Sequence, residues 1–351
     1  MEEERPGTAE QFVPDESLRN DAISKSARKV FSRMGLACCI MLAVSSALMI
    51  LLLLLVRFSF PQFAEKQWSY LSLSIISMQL VGMSLACVLL RKMPRFVADP
   101  QPFGLRQFLK CIPVCMFLAI AGNLAAILLN SLLGRLIGYR PVTTAETMAY
   151  TQIPFWLLLL LLAVIGPFME ELLFRKVLID RMRGYGERIA VITSAAMFGL
   201  MHGNLVQCVY AFLVGLLFGY VYLKSGSIWW SYGLHFTMNT LSGVLPIQLA
   251  KDPALRDLIL GTSTGSAGVN TDSFMEDPLV ILLPVYALVM LALVITGLVL
   301  LIKNAKRIRF SPAPLQIPKG RAFSSVWINL GMILFVILCI VNGVYYVIQT
   351  Q

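Results

Sequence analysis

Runs of about 20 apolar residues recur along this chain of 351 residues, and no other feature constrains its fold as strongly. A run of that length is what an α-helix needs to cross the hydrocarbon core of a membrane. Spanning segments must satisfy their backbone hydrogen bonds internally, so these runs predict helices. Nine of them can be read from the sequence, at residues 36–56, 68–90, 107–131, 153–180, 189–203, 206–224, 227–244, 279–302 and 324–347. We therefore predict an all-α, polytopic transmembrane helical bundle of about nine spans.

The composition excludes the main soluble classes of protein. Hydrophobic residues make up 58% of the chain and charged residues only 14%, whereas soluble domains carry about 25% charged residues. The chain is therefore expected to be a multi-pass integral membrane protein surrounded by the lipid bilayer, in the cell membrane if its source is bacterial. The net charge of +10 is assigned to basic loops that fix the orientation of the spans, so no nucleic-acid partner is inferred.

The distribution of basic residues predicts the orientation of the chain. With nine spans and the N-terminus inside, the inside segments carry most of the 29 Lys and Arg residues, as the positive-inside rule requires. A connection that contains GTSTGSAG and several acids then falls outside and predicts a flexible loop. The predicted organisation comprises a polar N-terminal tail (1–34), N-terminal spans (35–150), a core with polar motifs (151–245), an external loop (246–278) and two C-terminal spans (279–351).

Three short motifs place ionisable or amide side chains inside predicted spans, where such groups are costly and usually mark function. They are Glu170, Glu171 and Arg175 in GPFMEELLFRK of the fourth span, His202 in FGLMHGN of the fifth, and His235 and Asn239 in GLHFTMN of the seventh. The two histidines are the only ones in the chain. Gln79, Asn123 and Asn130 belong to none of these motifs and are interpreted as helix contacts or cavity lining.

The motifs fall at one depth. Spans four and five form a hairpin that turns near Gly186, with Glu170 16 residues before that glycine and His202 16 residues after it. At about 1.5 Å per residue, both side chains lie about 20 Å or slightly less from the inner surface. Asn239 follows the next inner turn by 13 residues, counted from Gly226, and His235 lies one turn closer to that surface. Three spans therefore bring polar groups together at one level.

Helical spacing suggests how these groups are used. Glu171 and Arg175 are four residues apart and can pair on one face, while Glu170 points about 100° away. A carboxylate in an apolar setting with a histidine opposite suits a general base. His235 and Asn239 also share one face, where two donors could hold an oxyanion. The simpler interpretation is that intramembrane Glu, His and Asn only hydrogen-bond helices to one another.

The strings EELLFR, FGLMH and HFTMN resemble the EExxxR, FxxxH and HxxxN motifs of the CAAX protease and bacteriocin-processing family. That family contains type II CAAX prenyl endopeptidases and bacterial Abi proteins. The resemblance covers residues 165–243 and implies an intramembrane endopeptidase built as a helical bundle. It implies that Glu170 is the catalytic glutamate with His202 as its partner, that His235 and Asn239 complete the site, and that Glu171 and Arg175 support it.

Two chemistries follow from this resemblance, because the family is described both as metalloproteases and as glutamate-dependent proteases. In a metal-free mechanism, Glu170 and His202 activate water while His235 and Asn239 stabilise the oxyanion. In a zinc mechanism, His202, His235 and Glu170 hold the metal. The chain contains no HExxH string, and the metal-free version is preferred, so no cofactor is favoured although zinc is possible.

Other functions remain open at this point. Glu170 could be the relay of a proton- or ion-coupled transporter, although the sequence lacks paired broken helices in matching halves. A non-catalytic membrane scaffold is a further alternative. If the chain is a protease, its partner is a membrane-associated protein or peptide substrate: a prenylated CAAX protein, a bacteriocin or other peptide precursor, or a membrane protein.

Overall fold

The computed structural model describes residues 16–96, 101–138, 153–249, 251 and 278–349. Every regular element in this part of the chain is helical, which confirms the predicted all-α class. The long helices are α1 (Glu16–Ser59), α2 (67–90), α3 (Leu105–Ile137), α4 (155–182), α5 (Glu187–Leu200), α6 (Leu205–Ser225), α7 (228–249), α8 (Pro278–Asn304) and α9 (Leu330–Gln349). Short helices, Pro61–Ala64 and Ala322–Trp327, precede α2 and α9.

Each of the nine predicted apolar segments overlaps one of these helices, with two notable differences in the bounds. Helix α1 begins at Glu16, so part of the predicted polar tail continues the first helix and buries Phe31 and Met34. The ninth segment is interrupted before Leu330, because the side chain of Asn329 accepts a hydrogen bond from the Met332 amide and caps α9. Residues 1–15 of the predicted tail and 252–277 of the predicted external loop lie outside the described residues.

The protein is a multi-pass integral membrane protein. Within the described ranges, six helices are long and apolar enough to cross a membrane: Glu16–Ser59, Trp68–Leu90, Leu105–Ile137, Phe155–Tyr185, Leu205–Ser225 and Leu282–Arg307. Helix α5 has only 14 residues, about 21 Å, against a hydrocarbon core of about 30 Å. Helices α7 and α9 also fall short of these criteria, and Leu330–Tyr345 counts as a shorter apolar helix. The nine-span count and the inside N-terminus stay predictions.

Helices α2, α4 and α7 are irregular at the level of the polar motifs. Each contains π-helical stretches, at Ile75–Met83, Leu159–Ile165, Leu172–Ile179 and Thr240–Val244. A π-helical turn bonds residues five apart and often marks a functional site, since it frees backbone groups and turns side chains to new directions. These stretches flank the two glutamates and follow Asn239.

The helices pack as a core of α4 to α7 with the remaining helices around it. Helix α3 packs on both α6 and α8, and α1 packs on α2 and α9. The α1–α9 crossing brings Gly35 against Gly331, where an added Cβ would clash with backbone. Small residues allow this close approach of helices in a membrane. The first and last helices of the chain are therefore in direct backbone contact.

The turn between α4 and α5 is buried although it carries many charges. Arg183 forms an ion pair with Glu187, and Arg181 donates hydrogen bonds to the carbonyl oxygens of Leu90 and Val177. The segment after α8 covers the turn: the amides of Leu315 and Ile317 donate to the carbonyls of Gly184 and Tyr185. Charge pairing and backbone bonds thus fix the hairpin that carries the first two motifs.

Candidate active site

Glu170 and Glu171 share one short α-helical turn of α4, Gly166–Glu171, between two π-helical stretches. As neighbours on a helix they point roughly 100° apart. The side chain of Glu171 is 0% exposed, whereas that of Glu170 is 13% exposed and lines a cavity. The adjacent carboxylates therefore lie in different surroundings.

Glu171 and Arg175 form the ion pair expected from their spacing. The Nε atom of Arg175 lies 3.1 Å from Oε2 of Glu171, and both side chains are fully buried. Arg175 also donates to the hydroxyl of Ser194, which donates in turn to the Phe174 carbonyl. Its guanidinium lies 5.0 Å from the centre of the Phe198 ring. The pair thus neutralises its own charge directly behind the cavity wall, in contact with Phe198 of that wall.

His235 lies between the two glutamates. Its Nδ1 atom is 3.2 Å from Oε1 of Glu171, and its Nε2 atom is 3.5 Å from Oε2 of Glu170. The ring stacks on Phe218 with centroids 4.9 Å apart. The sequence predicts His202 as the histidine opposite Glu170, whereas the histidine nitrogen 3.5 Å from the Glu170 carboxylate belongs to His235. His235 is therefore within reach of both carboxylates.

His202 follows the end of α5, and its ring is oriented by the chain just before it. The Nδ1 atom lies 2.8 Å from the carbonyl oxygen of Phe198. This carbonyl is available because the amide of His202 bonds to Gly199 instead. A carbonyl only accepts hydrogen bonds, so Nδ1 carries the proton and Nε2 of the neutral ring is an acceptor. The spacing of the FxxxH motif thus sets the tautomer of the histidine.

Asn239 is held by a backbone oxygen of α4. Its Nδ2 atom donates to the Leu162 carbonyl at 2.7 Å. In the π-helical stretch, the amide of Gly166 bonds to the carbonyl of Leu161, so the next amide in register, that of residue 167, would bond to Leu162. That residue is Pro167, which has no N–H to give. The proline therefore frees the oxygen that orients Asn239, and one amide proton of Asn239 is left for the cavity.

The four predicted catalytic residues line one cavity. It has a volume of about 170 Å³, and Glu170, His202, His235 and Asn239 are all on its wall. Glu171 and Arg175 are not part of the wall. Gln79, interpreted from sequence as a helix contact or cavity lining, also lines it. The structure therefore brings together residues that are up to 69 positions apart in the sequence, as the matched depths of Glu170 and Asn239 suggested.

Two further polar residues of the cavity, Gln207 and Tyr210, were missed by sequence reasoning. Gln207 accepts a hydrogen bond from Asn204 Nδ2 at 2.5 Å and its side chain bonds to the Tyr210 hydroxyl. When the Gln207 amide group donates to Tyr210, the hydroxyl proton of Tyr210 is free to point into the cavity. The only sequence signal is their spacing of three residues on the helix that follows His202.

A zinc site formed by His202, His235 and Glu170 does not fit these side chains as they are arranged. In the described part of the chain, no three His, Cys, Asp or Glu side chains are grouped so that they could hold a metal ion. Nδ1 of His235 faces Glu171 and Nδ1 of His202 is bonded to a carbonyl, so Nε2 is the nitrogen of each ring that could reach a metal. A catalytic zinc needs three protein ligands that converge on one point and leave an open position.

Comparison with known proteins agrees with the motifs. Residues 152–241 match a family described as type II CAAX prenyl endopeptidase Rce1-like, and all three motifs lie within them. Because of this similarity, residues 152–241 are called the CAAX-protease-like core below. A curated relative named "Putative membrane peptidase YdiL", from Bacillus subtilis (strain 168), is 25% identical over 95 residues. The resemblance predicted from the motifs is thus confirmed.

The CAAX-protease-like core is only part of the molecule. The aligned residues make up 26% of this chain and 38% of the relative, so the chain spans less than two fifths of the length of that relative. No solved structure matches the chain significantly. Helices α1, α2, α3, α8 and α9 lie outside the residues that match the family.

Proposed function

We propose that the protein is an intramembrane endopeptidase that hydrolyses a peptide bond in a membrane-associated protein or peptide. The observation that carries this proposal is the convergence of Glu170, His202, His235 and Asn239 on one cavity. They come from α4, from the turn after α5 and from α7. The family match adds support, because its description and the name of the relative both refer to peptidases.

Glu170 and His202 activate the water in this proposal. The cavity volume of about 170 Å³ is large enough for several waters, each of which needs at least about 10–15 Å³. A water that donates one hydrogen bond to Glu170 and one to Nε2 of His202 directs a lone pair at the substrate carbonyl carbon. Glu170 takes the proton as the new C–O bond forms, and His235 keeps its carboxylate oriented.

The negative charge then moves to the former carbonyl oxygen. The free amide proton of Asn239 and the hydroxyl proton of Tyr210 are the donors available on the cavity wall. Preorganised donors of this kind stabilise a tetrahedral intermediate. When the C–N bond breaks, Glu170 returns its proton to the leaving amine nitrogen, so that water has been added across the peptide bond and the enzyme is unchanged.

Comparative membrane proteomics tests this function. Cells that carry the wild-type protein are compared with cells that carry Glu170→Gln, and with cells that carry Glu65→Gln as an exposed, matched control. The expected result is one membrane-associated precursor that accumulates only with Glu170→Gln. Purified wild-type protein in vesicles should then cleave that precursor at a single bond.

Two outcomes would overturn the proposal. If all three strains have the same membrane proteome and purified protein moves an ion or proton across vesicles only when Glu170 is present, the chain is a transporter. If the precursor accumulates but the purified protein does not cleave it, the chain supports another protease as a scaffold. The identity of the accumulating precursor distinguishes a prenylated CAAX protein from a peptide precursor.

A further inference from the structure

A basic groove lies between the first and last helices, outside the CAAX-protease-like core. It has a volume of about 370 Å³ and is lined by Arg28, Lys29, Ser32 and Arg33 of α1 and by Asn329 at the start of α9. Three of these five residues are cations, and none is a carboxylate. The groove is therefore an open, positively charged surface.

The three cations have no protein counter-ion among the described residues. Arg28, Lys29 and Arg33 are exposed, and Asp21, the nearest carboxylate before them on the same helix, is paired with Arg321 instead. Lys29 and Arg33 are four residues apart, a spacing at which like charges destabilise a helix. A groove with this composition is more stable when it holds an anion.

The floor of the groove is fixed by polar contacts between the two helices. The amide of Gly331 donates to the hydroxyl of Ser32 at 3.1 Å, and Asn329 caps the Met332 amide. The N-terminal end of α9, which carries the positive end of its helix dipole, therefore faces the same groove as the three cations. These contacts hold the groove in shape without any ligand.

Apolar stripes continue from the groove along both helices. On α1, Ile40 and Val44 follow Arg33 by 7 and 11 positions, on the same side of the helix. On α9, Ile333 and Ile337 follow Asn329 by 4 and 8 positions. All four side chains are exposed, between 38% and 51%. The groove thus lies where the apolar parts of α1 and α9 begin, at the edge of the hydrocarbon core.

We propose that this groove binds the headgroup phosphate of an anionic phospholipid whose acyl chains lie along the two stripes. Cationic groups and a helix N-terminus suit a phosphate, and the stripes suit acyl chains, so the ligand is amphipathic. The end of α1 that bears the groove is the one predicted to lie inside, where membranes carry their anionic lipids. The bound lipid bridges the first and last helices of the protein. This site is independent of the proposed peptidase activity.

The test uses the purified full-length protein in a neutral detergent. Its affinity for phosphatidylglycerol and for phosphatidylcholine with the same acyl chains is measured by native mass spectrometry, and its Tm is measured with each lipid. Glycerol 3-phosphate is a third probe, because it carries the phosphate without the chains. We expect phosphatidylglycerol to bind more tightly and to raise the Tm, since a ligand of the folded state stabilises it.

Three variants decide where the lipid binds. The triple variant R28Q/K29Q/R33Q should bind phosphatidylglycerol on the order of 10²-fold more weakly, because each cation near an anionic surface contributes separately. The matched control K303Q/K306Q/R307Q removes three exposed cations from another segment and should bind as wild type does. The variant R28K/R33K keeps the charges and should retain most of the affinity.

Each other result would overturn the proposal. Equal affinity of the triple variant and the wild type would place the lipid elsewhere, and equal losses in the triple variant and its control would indicate a general charge effect. If glycerol 3-phosphate stabilises the protein as well as phosphatidylglycerol does, the site takes a free phosphate. A triple variant that fails to fold is replaced by the three single variants, of which at least two should weaken binding.

Discussion

The Nδ1 atom of His202 donates a hydrogen bond to the carbonyl oxygen of Phe198, one helical turn earlier in the chain, over 2.8 Å. This bond uses the backbone of Phe198 and not its ring. The ring packs edge-on against both histidines and beneath Arg175. The FxxxH spacing therefore combines two separable functions, one in the backbone and one in the side chain.

Phe198→Leu should for this reason preserve most of the activity, because the carbonyl that fixes His202 remains. We expect turnover of the precursor to fall by less than about tenfold, while the Tm falls because packing and the cation–π contact are lost. His202→Gln should lower turnover by at least ~10²-fold with a near-normal Tm. Parallel Tm and kcat measurements check this. Equal losses of turnover in the two variants would show that the ring itself is needed.

The same Glu→Gln substitution should mainly lower turnover at Glu170 and mainly lower stability at Glu171. Glu170→Gln removes the general base from the cavity wall, so kcat should fall by ~10²-fold or more while the protein folds normally. Glu171→Gln leaves Arg175 buried without its counter-charge, a loss of about 3–5 kcal/mol for a buried pair. That variant should mainly lose yield and Tm. Near-normal turnover by purified Glu170→Gln protein would contradict the base assignment.

Tyr210 should contribute to turnover through its hydroxyl alone. Tyr210→Phe keeps the ring but removes one donor to the oxyanion, which should lower kcat by ~10²-fold with little change in KM. Tyr70→Phe, at an exposed position of α2, is the matched control and should be neutral. Gln207→Leu should have a smaller effect of the same kind, because it leaves the Tyr210 hydroxyl free to turn. An unchanged kcat for Tyr210→Phe would exclude the hydroxyl from the site.

The sequence predicted the helices and the main residues of the cavity for simple physical reasons. Apolar length marks a helix in a membrane. Residues at equal distances from a turn reach the same level of a hairpin, and Glu170 and His202 line the same cavity. Helical spacing also predicted the Glu171–Arg175 pair. Each of these inferences depends on a regular helix.

The irregular parts could not be predicted in this way. The π-helical stretches of α4 lie on both sides of the two glutamates and change the direction of side chains. The histidine nitrogen 3.5 Å from Glu170 belongs to His235, which the sequence grouped with Asn239 instead. The Leu162 carbonyl is free to accept from Asn239 because Pro167, which has no N–H, stands where a π-helix would supply the donor. Tyr210 carries no charge, and nothing in the sequence distinguishes it from the other tyrosines in apolar segments. Only its bond to Gln207 identifies it as a polar residue of the cavity.

The orientation of the chain can be measured directly. A reporter fused after Gln351 should report the outside, whereas a reporter inserted at an exposed position within 303–321 should report the inside. Nine spans with the N-terminus inside require opposite results, because α9 separates the two positions. The same side for both reporters would mean that one predicted span does not cross the membrane. The cavity would be unaffected, since its lining residues come from α2 and from the segment α4 to α7, and none comes from α9.

Metal analysis separates the two chemistries of the site. A zinc mechanism requires about one metal per chain and reversible loss of turnover on chelation. His235→Ala would then lose metal and activity together, while Asn239→Ala would keep the metal. The metal-free mechanism predicts that chelation of purified enzyme changes nothing and that Asn239→Ala lowers kcat by ~10²–10³-fold. We expect the metal-free result, because no three His, Cys, Asp or Glu side chains of the described residues are grouped so that they could hold a metal ion. One tightly held zinc per chain, with activity lost on its removal and restored on its return, would overturn that expectation.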